Sequence, residues 1–341
     1  MVSELVEPLK IVTNTYWPSF RNVALTIQNS LRPYCESTIC DFETVKSGGK
    51  MLCIGTANKT TIKSIRRLIL HNEIVFYATT EGRAEITRTE LQEVNRATII
   101  AVSKFVQDKL QEVGVHVQGV IHHAINMNER NVDGDFYRKI KTMTDRRKVV
   151  LTVSANHHRK ALHKLLRAQG TLEQKPGTFL IVHSQKDGYY DLQERVKALG
   201  INEIWLTNEF GTMNEARLRA LYKLCTIYVQ PSNSEGFGLP ILEAFRFNKP
   251  VIAVNAPPFN EIIENNSTGI LFPSSGTDWH KPTETDLNVE MHEYDARALS
   301  NAIRSLLGNH QLLDRIEQQI DEKKWNWNAP NMYPRLLEYL N

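Results

Sequence analysis

Glu235 and Glu243 flank a glycine-bearing turn that reads Glu-Gly-Phe-Gly-Leu-Pro-Ile-Leu-Glu. Gly236 and Gly238 carry no Cβ, so the backbone can turn tightly there and approach a ligand closely. Pro240 suits the first turn of a helix, where its missing N–H leaves no bond unmade. The free N–H groups around Gly238 and Leu239 then point out of a helix N-terminus, an arrangement that attracts phosphate. The two carboxylates can accept hydrogen bonds from hydroxyl groups. An anion cradle between hydroxyl-binding carboxylates suits a sugar nucleotide better than a metal or a nucleic acid. The competing reading is a plain strand-to-helix turn with a chance pair of glutamates.

The elements that must position this turn are legible from hydrophobic patterning. Short apolar runs at residues 9–12, 51–55, 73–79 and 98–102 read as strands in the first half, and those at 148–153, 178–184, 204–206, 226–230, 251–254 and 269–272 as strands in the second. Amphipathic stretches between them read as helices. Strands alternating with helices through both halves predict an α/β protein with two doubly wound sheets. Neither half carries a G-x-G-x-x-G fingerprint, which argues against a dehydrogenase.

Composition narrows the function classes. A chain of 341 residues is long enough for two cores. Its net charge of only +3 disfavours a general nucleic-acid binder. No apolar run is long enough to cross a bilayer. Residues 1–10 include two glutamates and no apolar signal core, so a cytoplasmic protein is expected. The four cysteines (Cys35, Cys40, Cys53 and Cys225) show neither a C-x-x-C pair nor zinc spacing, so reduced thiols and no metal are expected. Two stretches have alternative readings. The basic helix at residues 60–71, with Lys63, Arg66 and Arg67, either packs one face on the sheet or offers a patch to a membrane surface or lipid-phosphate acceptor. Residues 274–293 are polar and read as an inert insertion or as a mobile loop over the cleft.

The Glu235–Glu243 signature resembles the donor site of retaining glycosyltransferases of the GT-B fold, family 4 in particular. The order of the Pro-Val-Ile-Ala strand, the Glu261 helix and Thr-Gly-Ile-Leu agrees with it. The resemblance implies two Rossmann-like domains facing each other across a cleft: an acceptor-side domain (1–146), a donor domain (147–320) and a C-terminal segment (321–341) crossing back. It implies a nucleotide-sugar donor, a glycan, lipid or protein-linked hydroxyl acceptor, no cofactor and no required metal. Glu243 would hold the ribose hydroxyls and Glu235 the sugar hydroxyls. Gly236, Phe237, Gly238 and Leu239 would line the diphosphate, and Asn208 would lie in the loop that packs on the base. Lys160 matches the family lysine that neutralises the diphosphate.

This chain departs from the family at several places. Ser154 and Ala155 replace Gly-Arg, with Arg159 as the substitute cation, and Ala161 replaces a glycine. Phe20, Arg21 and Asn22 stand where a Gly-Gly pair is usual, so Arg21 is either a donor-site charge or an ordinary surface arginine. Glu81 stands in place of the usual histidine, either contacting acceptor or sugar hydroxyls, pairing with Arg83 or capping a helix. These departures leave open a second class, a sugar-nucleotide binder of the same fold without turnover.

Overall fold

The computed structural model describes residues 8–172, 177–282 and 286–340. Most of the stretch behind the no-export reading (residues 1–7), and part of the polar segment (283–285), lie outside them. Among the described residues, fifteen strands form three sheets. In chain order they are β1 (Leu9–Thr13), β2 (Ser37–Asp41), β3 (Lys50–Thr56), β4 (Glu73–Thr79), β5 (Gly82–Ala84), β6 (Thr98–Ala101), β7 (Val117–Val120), β8 (Lys148–Val153), β9 (Thr178–His183), β10 (Ile204–Leu206), β11 (Ile227–Gln230), β12 (Val251–Asn255), β13 (Gly269–Pro273), β14 (Gly276–His280) and β15 (Leu287–Glu293).

The first six-stranded sheet has the order β2-β1-β3-β4-β6-β7 and the second β10-β9-β8-β11-β12-β13, each wholly parallel. Parallel sheets are covered by helices on both faces, which is why their central strands are almost continuously apolar. Leu151 and Val229 are fully buried, as are Leu52 and Cys53. The second sheet runs outward in both directions from β8 and β11. At such a switch point the connections from two neighbouring strands leave toward opposite faces, and a crevice opens at the strands' C-terminal ends. The loop after β8 carries Arg159 and Lys160, and the loop after β11 carries Glu235.

Several elements differ from the sequence reading. Strand β2 was not anticipated, because Ser-Thr-Ile-Cys-Asp lies at a sheet edge and needs little apolar content. The first helix begins at Pro18, with proline in its first turn, and so includes residues 20–22. Arg21 therefore lies on a helix and not in a glycine-like loop. Residues 131–147, too polar to read as a buried element, contain the helix Gly134–Thr144, whose N-cap Asp133 accepts from Phe136 N–H. It packs on the helix Glu215–Leu224. The polar segment 274–293 is more than a loop, for its described residues supply β14 and β15, which form a three-stranded antiparallel sheet with β5. The four cysteines are free thiols.

The C-terminal turns return to the first sheet. Ile125 N–H donates to Trp327 O at 3.1 Å. The Tyr333 hydroxyl, fully buried, accepts from Ala124 N–H and donates to Ala124 O, both at 3.0 Å. Removing that side chain opens a cavity and strands both backbone groups. Tyr333→Ala is therefore expected to lower stability by about 3–5 kcal/mol, read from the denaturant midpoint, with Tyr333→Phe losing much less.

Candidate active site

The short helical turn His158–Lys160 follows β8 and aims two cations at one carboxylate. Glu235 is buried, with only 7% of its surface exposed. Its Oε1 accepts from Ser232 Oγ at 2.8 Å and Gln230 Nε2 at 2.9 Å, and it pairs with Lys160 Nζ. Its Oε2 accepts from Arg159 at 2.9 Å. Burial pushes this carboxyl up, but Lys160 and Arg159 more than offset that and hold it at about 2. The Lys160 ammonium is pushed below its ordinary range by burial and by Arg159, with Glu235 opposing.

Arg159 also reaches the other sheet. Its second nitrogen pairs with Glu81 Oε1 at 2.8 Å, just past the end of β4, while its first also donates to Ser234 O at 3.0 Å. Glu81 thus pairs with Arg159 and not with Arg83, whose partner is Glu112. Two carboxylates and two cations balance across the cleft.

The glycine turn is pressed against the first half of the chain. A Cβ on Gly236 would stand 2.1 Å from Thr79 Oγ1 and 3.0 Å from Thr80 O. Ser103 Oγ donates to Gly236 O at 2.8 Å while also capping the helix Lys104–Glu112 by accepting from Val106 N–H. Phe237 is buried against the rings of His122 and His123, at 5.9 and 5.3 Å between centroids, and against Trp327. Burial and the neighbouring His122 push His123 down to about 3, so it is a neutral packing group. Gly238 has φ +116°, a conformation that glycine adopts without strain. It precedes the helix Leu239–Arg246, which no side chain caps. Glu243 lies within that helix; its Oε2 accepts from Tyr222 Oη at 2.6 Å. Burial pushes its carboxyl up, with the Tyr222 hydrogen bond opposing.

Residues 133–284 match the family model of glycosyl transferases group 1. Glycosyltransferase 335 of Sulfolobus islandicus rod-shaped virus 1 is 26% identical over 283 residues, covering 77% of this chain and 79% of the viral one. The O-antigen chain mannosyltransferase RfbU of Salmonella typhimurium is 25% identical over 62% of this chain, which spans 58% of RfbU. In three dimensions the chain resembles Anabaena HepE, solved with UDP and glucose, at a TM-score of 0.77 and 15% identity, over 98% of this chain and 99% of HepE. It also resembles sucrose-phosphate synthase of Thermosynechococcus elongatus at a TM-score of 0.75 and 16% identity, over 98% and 99% of the two chains. Residues 133–284 thus resemble a group 1 glycosyltransferase domain, in a chain with the GT-B fold.

The fold brings Glu235, Lys160, Arg159, Glu81, Gly236, Phe237 and Gly238 together, with Leu239 and Glu243 on the helix that follows. It does not bring in Arg21 or Asn208. Arg21 is exposed on the first helix. Asn208 is exposed in a left-handed conformation at φ +54° after the edge strand β10. Ala161, where the family has glycine, keeps a left-handed backbone at φ +49°. Among the described residues no group of three or more His, Cys, Asp or Glu could hold a metal.

Sequence reasoning missed the groups that hold the site from behind. Glu261 accepts from Lys104 N–H and Phe105 N–H at 2.7 and 2.8 Å and pairs with His122 at 3.1 Å, tying the two halves together. Gln230, Ser232, Thr79 and Tyr222 were likewise not singled out. The Gln-x-Ser spacing before Glu235 was a signal that could have been read, since one strand end and its turn can place both side chains on a following carboxylate. Gly236→Ala is expected to abolish turnover in a folded protein, because Thr79 Oγ1 and the backbone of Thr80 occupy the methyl's place. Adding Thr79→Ala should recover part of the rate, read as non-additivity in a double-mutant cycle.

Proposed function

We propose that this glycosyltransferase moves a sugar from a nucleoside-diphosphate donor to a hydroxyl acceptor with retention of anomeric configuration. The observation that carries the reading is the convergence of Arg159 and Lys160 on buried Glu235 at the switch point of the second sheet. Cleaving the sugar–phosphate bond builds negative charge on the departing diphosphate, and fixed donors at that point lower the barrier. Lys160 and Arg159 supply charge there, and the backbone of Gly236 to Leu239 supplies N–H groups. Glu235 takes the sugar hydroxyls and Glu243 the ribose hydroxyls, with Tyr222 fixing one carboxylate oxygen and leaving the other for the ligand. Glu81 meets acceptor or sugar hydroxyls from the first sheet. Arg21 and Asn208 have a weaker claim to the donor, resting on their loops' order in the chain.

No carboxylate is offered as a nucleophile. The acceptor hydroxyl attacks from the face that the diphosphate leaves, and a phosphate oxygen takes its proton. UDP-sugars are the first donors to try, because the matched HepE structure holds UDP. In this reading residues 1–146 serve the acceptor, 147–320 the donor, and 321–341 tie the two.

Donor hydrolysis and transfer are measured with UDP-glucose, UDP-N-acetylglucosamine and a mannose-carrying nucleotide, with and without EDTA. Lys160→Ala and Glu235→Gln should each lower kcat by about 10²–10³, and EDTA should change nothing. NMR of the product should show the donor's anomeric configuration; an inverted product ends this reading. Donor binding without turnover across many acceptors would instead support the non-catalytic binder, which Ala155 in place of the family arginine favours.

Peripheral membrane contact from the cytoplasm belongs to the same proposal. Among the described residues no helix is long and apolar enough to cross a membrane. The helix Lys59–Ile69 buries Ile62, Ile65 and Leu68 against its sheet. Its outer side, with Phe42 and Arg96, lines an open groove of about 740 Å³. Arg66 is held by Glu93 and Arg67 by Phe42 O, while Lys63 and Arg96 are exposed along the groove, which Leu70 also lines. Co-sedimentation with vesicles containing anionic lipid, and not with neutral ones, is expected and should be lost in Lys63→Glu/Arg96→Glu.

A further inference from the structure

Strand β15 belongs by sequence to the second half of the chain but lies between β14 and β5, and β5 belongs to the first half. Leu287, Asn288 and Val289 pair with Ala84, Arg83 and Gly82. Glu290 N–H donates to Glu81 O at 3.1 Å, and Glu85 N–H to Asp286 O at 3.1 Å. The small sheet has an apolar core of its own in Ala84, Leu287, Val289 and Met291. Lys109, nearly buried, pairs with Glu290 at 2.6 Å. The Trp279 ring carries Arg83 at 4.4 Å from its centroid and Lys109 at 5.4 Å.

The other end of β15 grips the donor loop. His292 N–H donates to Asn233 O at 2.8 Å, and Asn233 Nδ2 donates to Glu293 at 2.6 Å. One strand therefore joins Glu81 to Asn233, and these two residues neighbour the Arg159–Glu235 cluster on opposite sides of the cleft. Gly82 gives an independent sign that this contact is built in. Its backbone lies outside the left-handed region, so its conformation would admit a side chain. A Cβ there would nonetheless stand 2.0 Å from Asn288 O and 2.8 Å from the Val289 backbone. What excludes a side chain at Gly82 is β15 itself.

We infer that β15 is a strap that fixes the two halves of the enzyme at one separation before donor arrives, and that it positions Glu81 against Arg159. Two domains joined by a modest interface move relative to one another by default. Adding a strand across the cleft, with its own core and a nearly buried ion pair, removes that freedom and pre-organises the site. The residues of β15 act through Glu81 and are positioning residues. The kinetic consequence rests on the donor-site reading above; the separation of the halves does not.

The test places spin labels on exposed Glu43→Cys and Arg304→Cys in a Cys35→Ser/Cys40→Ser background, with UDP as the probe ligand. The strapped protein should give one narrow distance with and without UDP. Gly82→Val should broaden it toward longer values and lower kcat by about 10- to 100-fold at unchanged donor KM. A distance already broad in the parent, or still narrow in folded Gly82→Val, overturns the strap. A broadened distance with unchanged kcat overturns the positioning of Glu81. Should Gly82→Val not fold, an Arg83→Cys/Asn288→Cys crosslink decides: the oxidised enzyme should keep its kcat, and a loss restored by reductant means that the strap must open, which overturns it. If no donor is turned over at all, the donor-site reading fails while the distance measurement still judges the strap.

Discussion

The structure depends on a buried carboxylate held between two cations. Taking Glu235 out of water is costly, and its attraction to Lys160 and Arg159 offsets the cost only because every oxygen also finds a hydrogen-bond donor. Those donors come from one strand end, one turn and one short helical segment. Each must arrive at a fixed place, so the cluster makes demands on the β8 and β11 connections together. The parallel sheet meets them where its strand order turns around. Removing Glu235 would take from Lys160 the carboxylate it pairs with, which links this site's chemistry to its folding.

The same cluster reaches across the cleft. Arg159 spends one nitrogen on Glu81 of the first half, Ser103 holds the Gly236 carbonyl, and Glu261 caps a first-half helix from the second. A carboxylate at a helix N-terminus is favoured both by the free N–H groups and by the helix dipole. The halves therefore meet through polar contacts of defined geometry and not through a greasy face alone. Such contacts tolerate little displacement, and so a glycine at 236 faces Thr79 with no room for a methyl group.

What could be read in advance follows from how local each signal is. The central strands were legible because burial on both faces makes them continuously apolar. The Glu235–Glu243 turn was legible because glycine and proline restrict the backbone in ways that do not depend on context. Lys160 and Arg159 could be proposed as the partner cations from a resemblance. Their meeting with Glu235 could not be derived, since it depends on two strands becoming neighbours. Edge strand β2, the capping role of Glu261 and the β14–β15 hairpin were missed for one reason: their partners lie far away in sequence. A polar strand in residues 274–293 looks like a loop until β5 is beside it. Arg21 was misplaced because Pro18 opens a helix over the place where the resemblance puts a Gly-Gly pair.

The departures from the family's donor-site residues form one pattern. Ala155 stands where an arginine is usual, and Glu81 where a neutral or weakly basic histidine is usual. Relative to the family, the first change removes a positive charge and the second adds a negative one. Arg159 compensates both, bonding Glu235 with one nitrogen and Glu81 with another. The cluster of two cations and two carboxylates is then neutral without donor. In the proposed reaction a diphosphate enters this neutral cluster and must compete with carboxylates for the same guanidinium and ammonium. Sugar hydroxyls arriving at Glu235 provide the exchange, because they donate to the carboxylate oxygens as the phosphate accepts from the cations. A donor bearing both groups satisfies both sides together, whereas free phosphate satisfies one and strands the other. On this argument the charge balance selects for the intact nucleotide sugar over its parts.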